Sequence, residues 1–190
     1  MNLSKKIIIL LVILAIIGIS FFWYFSSQRS KTQPLQLEIK SPIIMKLESP
    51  VFSNNQNIPS KYTCDGENVN PPLKISEVPE ESKSLVLIVD DPDAPMGTWV
   101  HWTVWNISPK TTEIPENSVP EGAIEGMTDF GKPGYGGPCP PSGTHRYFFK
   151  IYALDTILDL APSAKKEDIE KAMEGHILAE AQLIGLYQRK

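Results

Sequence analysis

The chain has 190 residues, 42% of them hydrophobic and 21% charged, with 17 prolines and a formal net charge of −4. That length suits one globular domain with a core of its own plus an appendage. All 22 acids but only 14 of the 18 bases lie beyond residue 31, so that part of the chain carries −8; with no basic cluster it argues against nucleic acid as a partner and confines any anion site to a local arrangement.

Residues 1–6 form a short basic flank containing Lys5 and Lys6. From Ile7 to Phe25 there is no charge, which is close to the roughly 20 residues a helix needs to cross the hydrocarbon core. The outer end of that run, Phe21 to Phe25, is aromatic, as expected at headgroup depth. A cleaved signal peptide competes, but the apolar run is long and no A-x-A-like site follows it. The expectation is a transmembrane signal anchor over 7–25. A weak positive-inside bias then makes a single-pass cell-membrane protein with its domain on the extracytoplasmic side. Residues 26–41 read as a polar tether, and 42–190 as the domain.

Within that domain, short apolar runs alternate with turn residues at close spacing, the pattern of a mainly β sandwich or barrel. The predicted strands are Ile43–Leu47, Leu73–Ser76, Leu85–Asp90, Val100–Ile107 and Tyr147–Leu154. The connections, such as CDGENVNPP and DDPDAPMG, are rich in residues that favour turns. One helix is predicted in PSAKKEDIEKAMEGH, with Ser163 as cap, Ile169, Ala172 and Met173 at helical spacing and Gly175 as stop. Beyond it AEAQLIGLYQ alternates, putting Ala179, Ala181, Leu183, Gly185 and Tyr187 on one side of a closing strand.

The two cysteines, Cys64 and Cys139, are an even pair that suits a disulfide in an oxidising compartment, and equally two unpaired structural thiols. Without histidines at ligand spacing they give no zinc signature.

Three segments place polar groups where a β-domain ordinarily wants few. Asp91 and Asp93 follow the apolar strand SLVLIV, and Pro92 stops that strand at its rim because it cannot donate to a ladder. In WVHWTVWN, alternation puts Trp99, His101, Thr103 and Trp105 on one face. The glycine- and proline-rich loop Gly131–Thr144 runs into a strand whose alternation puts His145, Tyr147, Phe149 and Ile151 on one side and Arg146, Phe148, Lys150 and Tyr152 on the other. Each has a plain structural reading: turn aspartates, a satisfied core histidine, tryptophans that pack, and an Arg146 that anchors the loop through hydrogen bonds. Two imidazoles, a phenol and glycine N–H groups suit a small anion, whereas Asp-x-Asp with two histidines equally suits a divalent metal.

In order along the chain, CDGENVNPPL (64–73), DPDAP (91–95), WVHW (99–102) and GGPCPPSGTHRYFFKIYALD (136–155) resemble the phosphatidylethanolamine-binding protein family, in its bacterial and archaeal branch, relatives of Raf kinase inhibitor protein. The resemblance covers about residue 43 to the C-terminus. It implies a fold built on a large antiparallel sheet and one anion pocket, formed by Asp91, Asp93, His101, the Gly137-Pro138 turn, His145 and Tyr147. Pro138-Cys139-Pro140-Pro141 follows the prokaryotic pattern. The sequence ends soon after its last predicted strand, without the C-terminal helix that edges the pocket in eukaryotic members, so lipid selectivity and kinase regulation are not carried over.

The resulting expectation is a membrane-tethered binding protein for phosphate, a phosphomonoester or a phospholipid headgroup, with no cofactor, no metal and no catalysis. A protease inhibitor or other protein-binding regulator, using loops such as Asn106–Asn117, is the alternative. A hydrolase with His101 or His145 as general base lacks a visible activated nucleophile.

Overall fold

The computed structural model describes residues 16–24 and 44–189, which fall in two units, 1–41 and 42–190. In the first, residues 16–24 form a helix (α1) with exposed side chains, in which the Ser20 hydroxyl donates to the Ile16 carbonyl one turn back (2.8 Å). Among the described residues no helix is long and apolar enough to cross a membrane. The transmembrane anchor, and with it the single-pass placement, is therefore not supported; the remaining residues of 7–25, and the tether, lie outside the described residues apart from this helix.

The second unit contains strands β1 (Lys46–Glu48), β2 (Gln56–Asn57), β3 (Leu73–Ser76), β4 (Ser84–Asp91), β5 (Trp99–Ile107), β6 (Glu113–Ile114), β7 (Ile124–Glu125), β8 (His145–Leu154) and β9 (Ile177–Tyr187), with helix α2 (Lys166–Met173) between the last two. They make a three-stranded sheet, β1-β3-β6, and a six-stranded sheet, β2-β9-β8-β4-β5-β7. All pairs are antiparallel except β2 with β9. The run SLVLIVDD is buried at every position, because β4 is central and covered on both faces, which is why it reads as continuously apolar.

One face of the large sheet packs on the small sheet, where Leu85, Leu87, Val89, Trp102, Phe149 and Ile151 meet Leu47, Leu73, Ile75 and Ile114. The other face takes α2, with Ile169 and Met173 against Val86, Ile88 and Trp105. Each of those two helix residues contributes about 1.5–3 kcal/mol by leaving water. The helix starts later than the sequence predicts: its cap is Lys165, not Ser163, because the Asp168 carboxylate accepts the Lys165 N–H (3.0 Å) and closes the first turn there. The predicted Ile43–Leu47 strand is displaced to Lys46–Glu48, with residue 43 outside the described residues.

Two bulges break the register between β4 and β5. Val89 pairs with Trp102 but Asp90 with Val100, and Leu85 pairs with Ile107 but Leu87 with Val104. His101 and Asn106 are the extra residues. The single face predicted for Trp99, His101, Thr103 and Trp105 is thereby split. Thr103 pairs with Ile88, and Trp105 joins Ile88 on the helix side, whereas Trp99 and His101 open onto the opposite side beside Asp91 and Tyr147. On β8 no bulge intervenes in its pairing with β4, and the predicted alternation of His145, Tyr147, Phe149 and Ile151 is the observed buried face.

Candidate functional site

Where β4 ends, β5 begins and β8 begins, a cavity of about 210 Å³ opens. Asp91, His101, His145 and Tyr147 form its polar floor, and Ala94, Pro95, Trp99, Phe130 and Cys139 to Pro141 its walls. A larger hollow of about 630 Å³ lies between β1 and β9. It gathers no histidine and no buried unpaired group, so chemistry favours the smaller one.

Asp91 sits on the last residue of β4, and its carboxylate does two jobs. Oδ2 accepts from His145 Nδ1 at 2.7 Å, and Oδ1 accepts the Asp93 N–H at 2.8 Å, holding the turn that Pro92 starts. His101 Nδ1 stands 2.5 Å from the Gly136 carbonyl. A carbonyl can only accept, so Nδ1 carries the hydrogen and Nε2 is the nitrogen left for the cavity. The same reasoning leaves Nε2 free on His145. Both histidines are buried.

The rings are stacked edge to face: His101 lies 5.2 Å from Tyr147 and 5.4 Å from Phe130, and Trp99 lies 5.6 Å from Phe130. Burial pushes the His101 imidazole below its ordinary value, against the opposing pull of the Gly136 carbonyl and Asp91. Burial also pushes the Tyr147 phenol up, with Asp91 adding to it. The Tyr147 hydroxyl lies near Asp91 and the Cys139 backbone, yet it is buried without a hydrogen bond of good geometry. Among the described residues no lysine or arginine lines this cavity, and none of the groupings of histidine, cysteine, aspartate and glutamate could hold a metal ion.

The structure thus brings together Asp91, His101, His145 and Tyr147 around the cavity, whereas Asp93, Gly137 and Pro138 are not among its lining residues. Asp93 is engaged by Arg146, whose Nε and Nη2 donate to its two oxygens (2.8 and 2.7 Å); this holds its carboxyl down at about 2. Arg146 is therefore the anchor its outward register implies. Gly137 donates to Asn68 Oδ1 (2.7 Å), and Pro138 accepts from the Cys64 N–H (3.1 Å). Cys64 and Cys139 are disulfide-bonded, with Cα atoms 5.4 Å apart, which settles the pairing. Phe130, Pro140 and Pro141 went unread in the sequence because a ring or a proline in a loop carries no sign of which cavity it will face. The loop after β5 leaves that strand at the end opposite the cavity, and Glu116 ties it to Lys61 and Tyr62; none of the residues from Asn106 to Asn117 lines the cavity.

The phosphatidylethanolamine-binding protein profile matches residues 48–188. The chain belongs to this family. A relative from Methanothermobacter thermautotrophicus, a UPF0098 protein, is 57% identical over 150 residues, covering 76% of this chain and 99% of that protein. The Pyrococcus horikoshii UPF0098 protein PH1269 is 56% identical, covering 75% of this chain and 76% of its own. Among solved structures, a putative phosphatidylethanolamine-binding protein homologue from Chlamydia trachomatis superposes with a TM-score of 0.75 at 44% identity, covering 78% of this chain and 99% of that one. YbcL of E. coli, described as a new member of the mammalian PEBP family, gives 0.73 at 32%, covering 77% and 99%. The family match extends from β1 to the end of β9, and so includes every strand that supports the cavity.

Proposed function

We propose that this chain is a non-enzymatic binding protein of the phosphatidylethanolamine-binding family whose cavity takes a small phosphate-type oxyanion, carried either by a free phosphomonoester or by a lipid headgroup. The observation that carries the reading is the Tyr147 hydroxyl, a buried group that lies near Asp91 and the Cys139 backbone without a hydrogen bond of good geometry, set beside two imidazoles that bond within the protein through Nδ1. An unmade buried hydrogen bond costs about 1–3 kcal/mol, a cost that a ligand oxygen would remove.

With Asp91 on the floor and no cationic side chain in the lining, the charge that favours an anion comes from protonated imidazole. Binding therefore takes up a proton, and affinity rises as pH falls through the histidine range. The Asp91–His145 pair resembles the orienting half of a general-base system, but the lining holds no serine or threonine for it to activate, and in the oxidised protein Cys139 is held in the disulfide. A regulatory role would follow from what the bound anion is attached to.

Titration of the full chain with inorganic phosphate and phenyl phosphate, followed by ³¹P NMR, tests this. The dissociation constant is expected to tighten at least about fivefold from pH 7.5 to 5.5 and to be lost in His145→Ala. Phosphoethanolamine against vesicles containing phosphatidylethanolamine separates the free ester from the lipid source. Affinity indifferent to both pH and His145→Ala overturns the reading.

A further inference from the structure

The cavity and the disulfide share a residue. Cys139 lines the cavity with Pro140 and Pro141, and both Cys64 and Cys139 are exposed to solvent. The loop on either side of that cysteine is held very differently. Before it, Gly136 donates to the His101 carbonyl (2.9 Å) and Pro138 accepts from Cys64 (3.1 Å), while Gly137 donates to Asn68 (2.7 Å). After it, residues 140–143 make no hydrogen bond among the described residues until the Thr144 hydroxyl donates to Gln188 Oε1 (3.0 Å). The wall facing Tyr147 is thus fastened at its upstream end by a disulfide between two solvent-exposed residues.

We propose that Cys64–Cys139 is a redox latch on the binding cavity. Oxidised, it holds the Cys139–Pro141 wall against Tyr147 and keeps the cavity shaped for its ligand. Reduced, it frees that wall while the sheet beneath stays intact, and affinity falls. The reductant is a dithiol. One of its thiolates attacks a cysteine sulfur, forming a mixed disulfide and releasing the other cysteine as a thiolate. The second thiol of the reductant then attacks the mixed disulfide and leaves as the cyclic disulfide. Two electrons pass to the protein, and the protons of the two reductant thiols end on Cys64 and Cys139. Exposure favours this exchange, since attack requires access to a sulfur.

The binding arm of this inference rests on the anion reading above; the release of the wall does not. The experiment compares the full chain oxidised and after dithiothreitol, together with Cys64→Ala/Cys139→Ala. It reads three quantities: ¹⁵N order parameters at Ser142 and Gly143, the cross-strand NOEs that report native pairing of β4 with β8, and affinity for inorganic phosphate. The latch predicts that the two order parameters fall below about 0.6, that the β4–β8 NOEs persist, and that phosphate affinity drops at least about fivefold and returns on reoxidation. The double variant should match the reduced state and ignore dithiothreitol. Phosphate affinity within twofold in both redox states overturns the latch, as does loss of the β4–β8 NOEs, which means that the native sheet itself needs the bond. Release of the wall with no phosphate binding in either state overturns the anion reading while supporting the mobility arm.

Discussion

Tyr147 separates a functional from a structural account of the cavity. Its ring is buried core, 1% exposed, but its hydroxyl makes no hydrogen bond of good geometry. A residue kept for packing alone would do better as phenylalanine. Tyr147→Phe is therefore expected to leave stability unchanged or raise it by about 1 kcal/mol, read from urea denaturation, while weakening phosphate binding about fivefold or more. His101 adds a pH signature. Burial lowers its folded-state value, so from about pH 6.5 downward the unfolded chain binds a proton that the folded chain refuses. Its contribution to stability is complete above that pH and declines as pH falls toward the folded value. The urea midpoint should drop between pH 7 and 5.5, and His101→Gln should flatten that drop. The Asp93–Arg146 pair acts in a separate, lower window, lost as pH falls from about 3.8 toward 2, and its exposure keeps it small. At this scale the sequence was legible where alternation is strict, as for His145 and Tyr147. It was silent on the Asp93–Arg146 pairing, because composition cannot tell a carboxylate that faces a cavity from one that a neighbouring arginine engages.

At the scale of elements, β4 was readable from its unbroken apolar run, and the long strands β5, β8 and β9 and helix α2 from their apolar period. The two-residue strands β2, β6 and β7 were not, since two residues have no period to read. The bulges were equally invisible, and they decide which side of β5 serves the cavity. Asn106 is one of the two bulged residues, with a left-handed φ of 58°. Its side-chain amide both donates to the Leu158 carbonyl (2.8 Å) and accepts from the Leu158 N–H (2.9 Å). Asn106→Gly keeps the backbone and loses the bonds; Asn106→Ala loses both. The alanine variant should be the less stable of the two, by about 1 kcal/mol, in equilibrium unfolding. Gly137 tests the loop in the same way. A Cβ there would come within 2.6 Å of the Tyr62 carbonyl and 2.8 Å of Thr63 Cα, and backbone cannot swing aside as a side chain can. Gly137→Ala should cost about 1–3 kcal/mol and disturb the adjoining Cys139 wall.

For the whole molecule, the cross-link matters through the chain it closes. Cys64 and Cys139 are 75 residues apart, and the closed segment includes β3 to β7, much of both sheets. Sequence left the pairing open because two cysteines so distant are brought together only by the topology: the turn after Ser60–Tyr62 and the loop before β8 meet where Tyr135 donates to the Tyr62 carbonyl (2.9 Å) and Gly137 to Asn68 (2.7 Å). A tie of that span removes unfolded-chain entropy worth about 4.5 kcal/mol in the loop-closure picture. The Cys64→Ala/Cys139→Ala chain should accordingly lose about 3–5 kcal/mol. The loss should come with a steeper denaturant dependence, since an unfolded chain without the tie exposes more surface. If the slope stays fixed while the midpoint falls, the stabilisation lies in native contacts near Cys139 and not in the unfolded ensemble. The two origins are thus separated by a urea titration of two proteins at one pH.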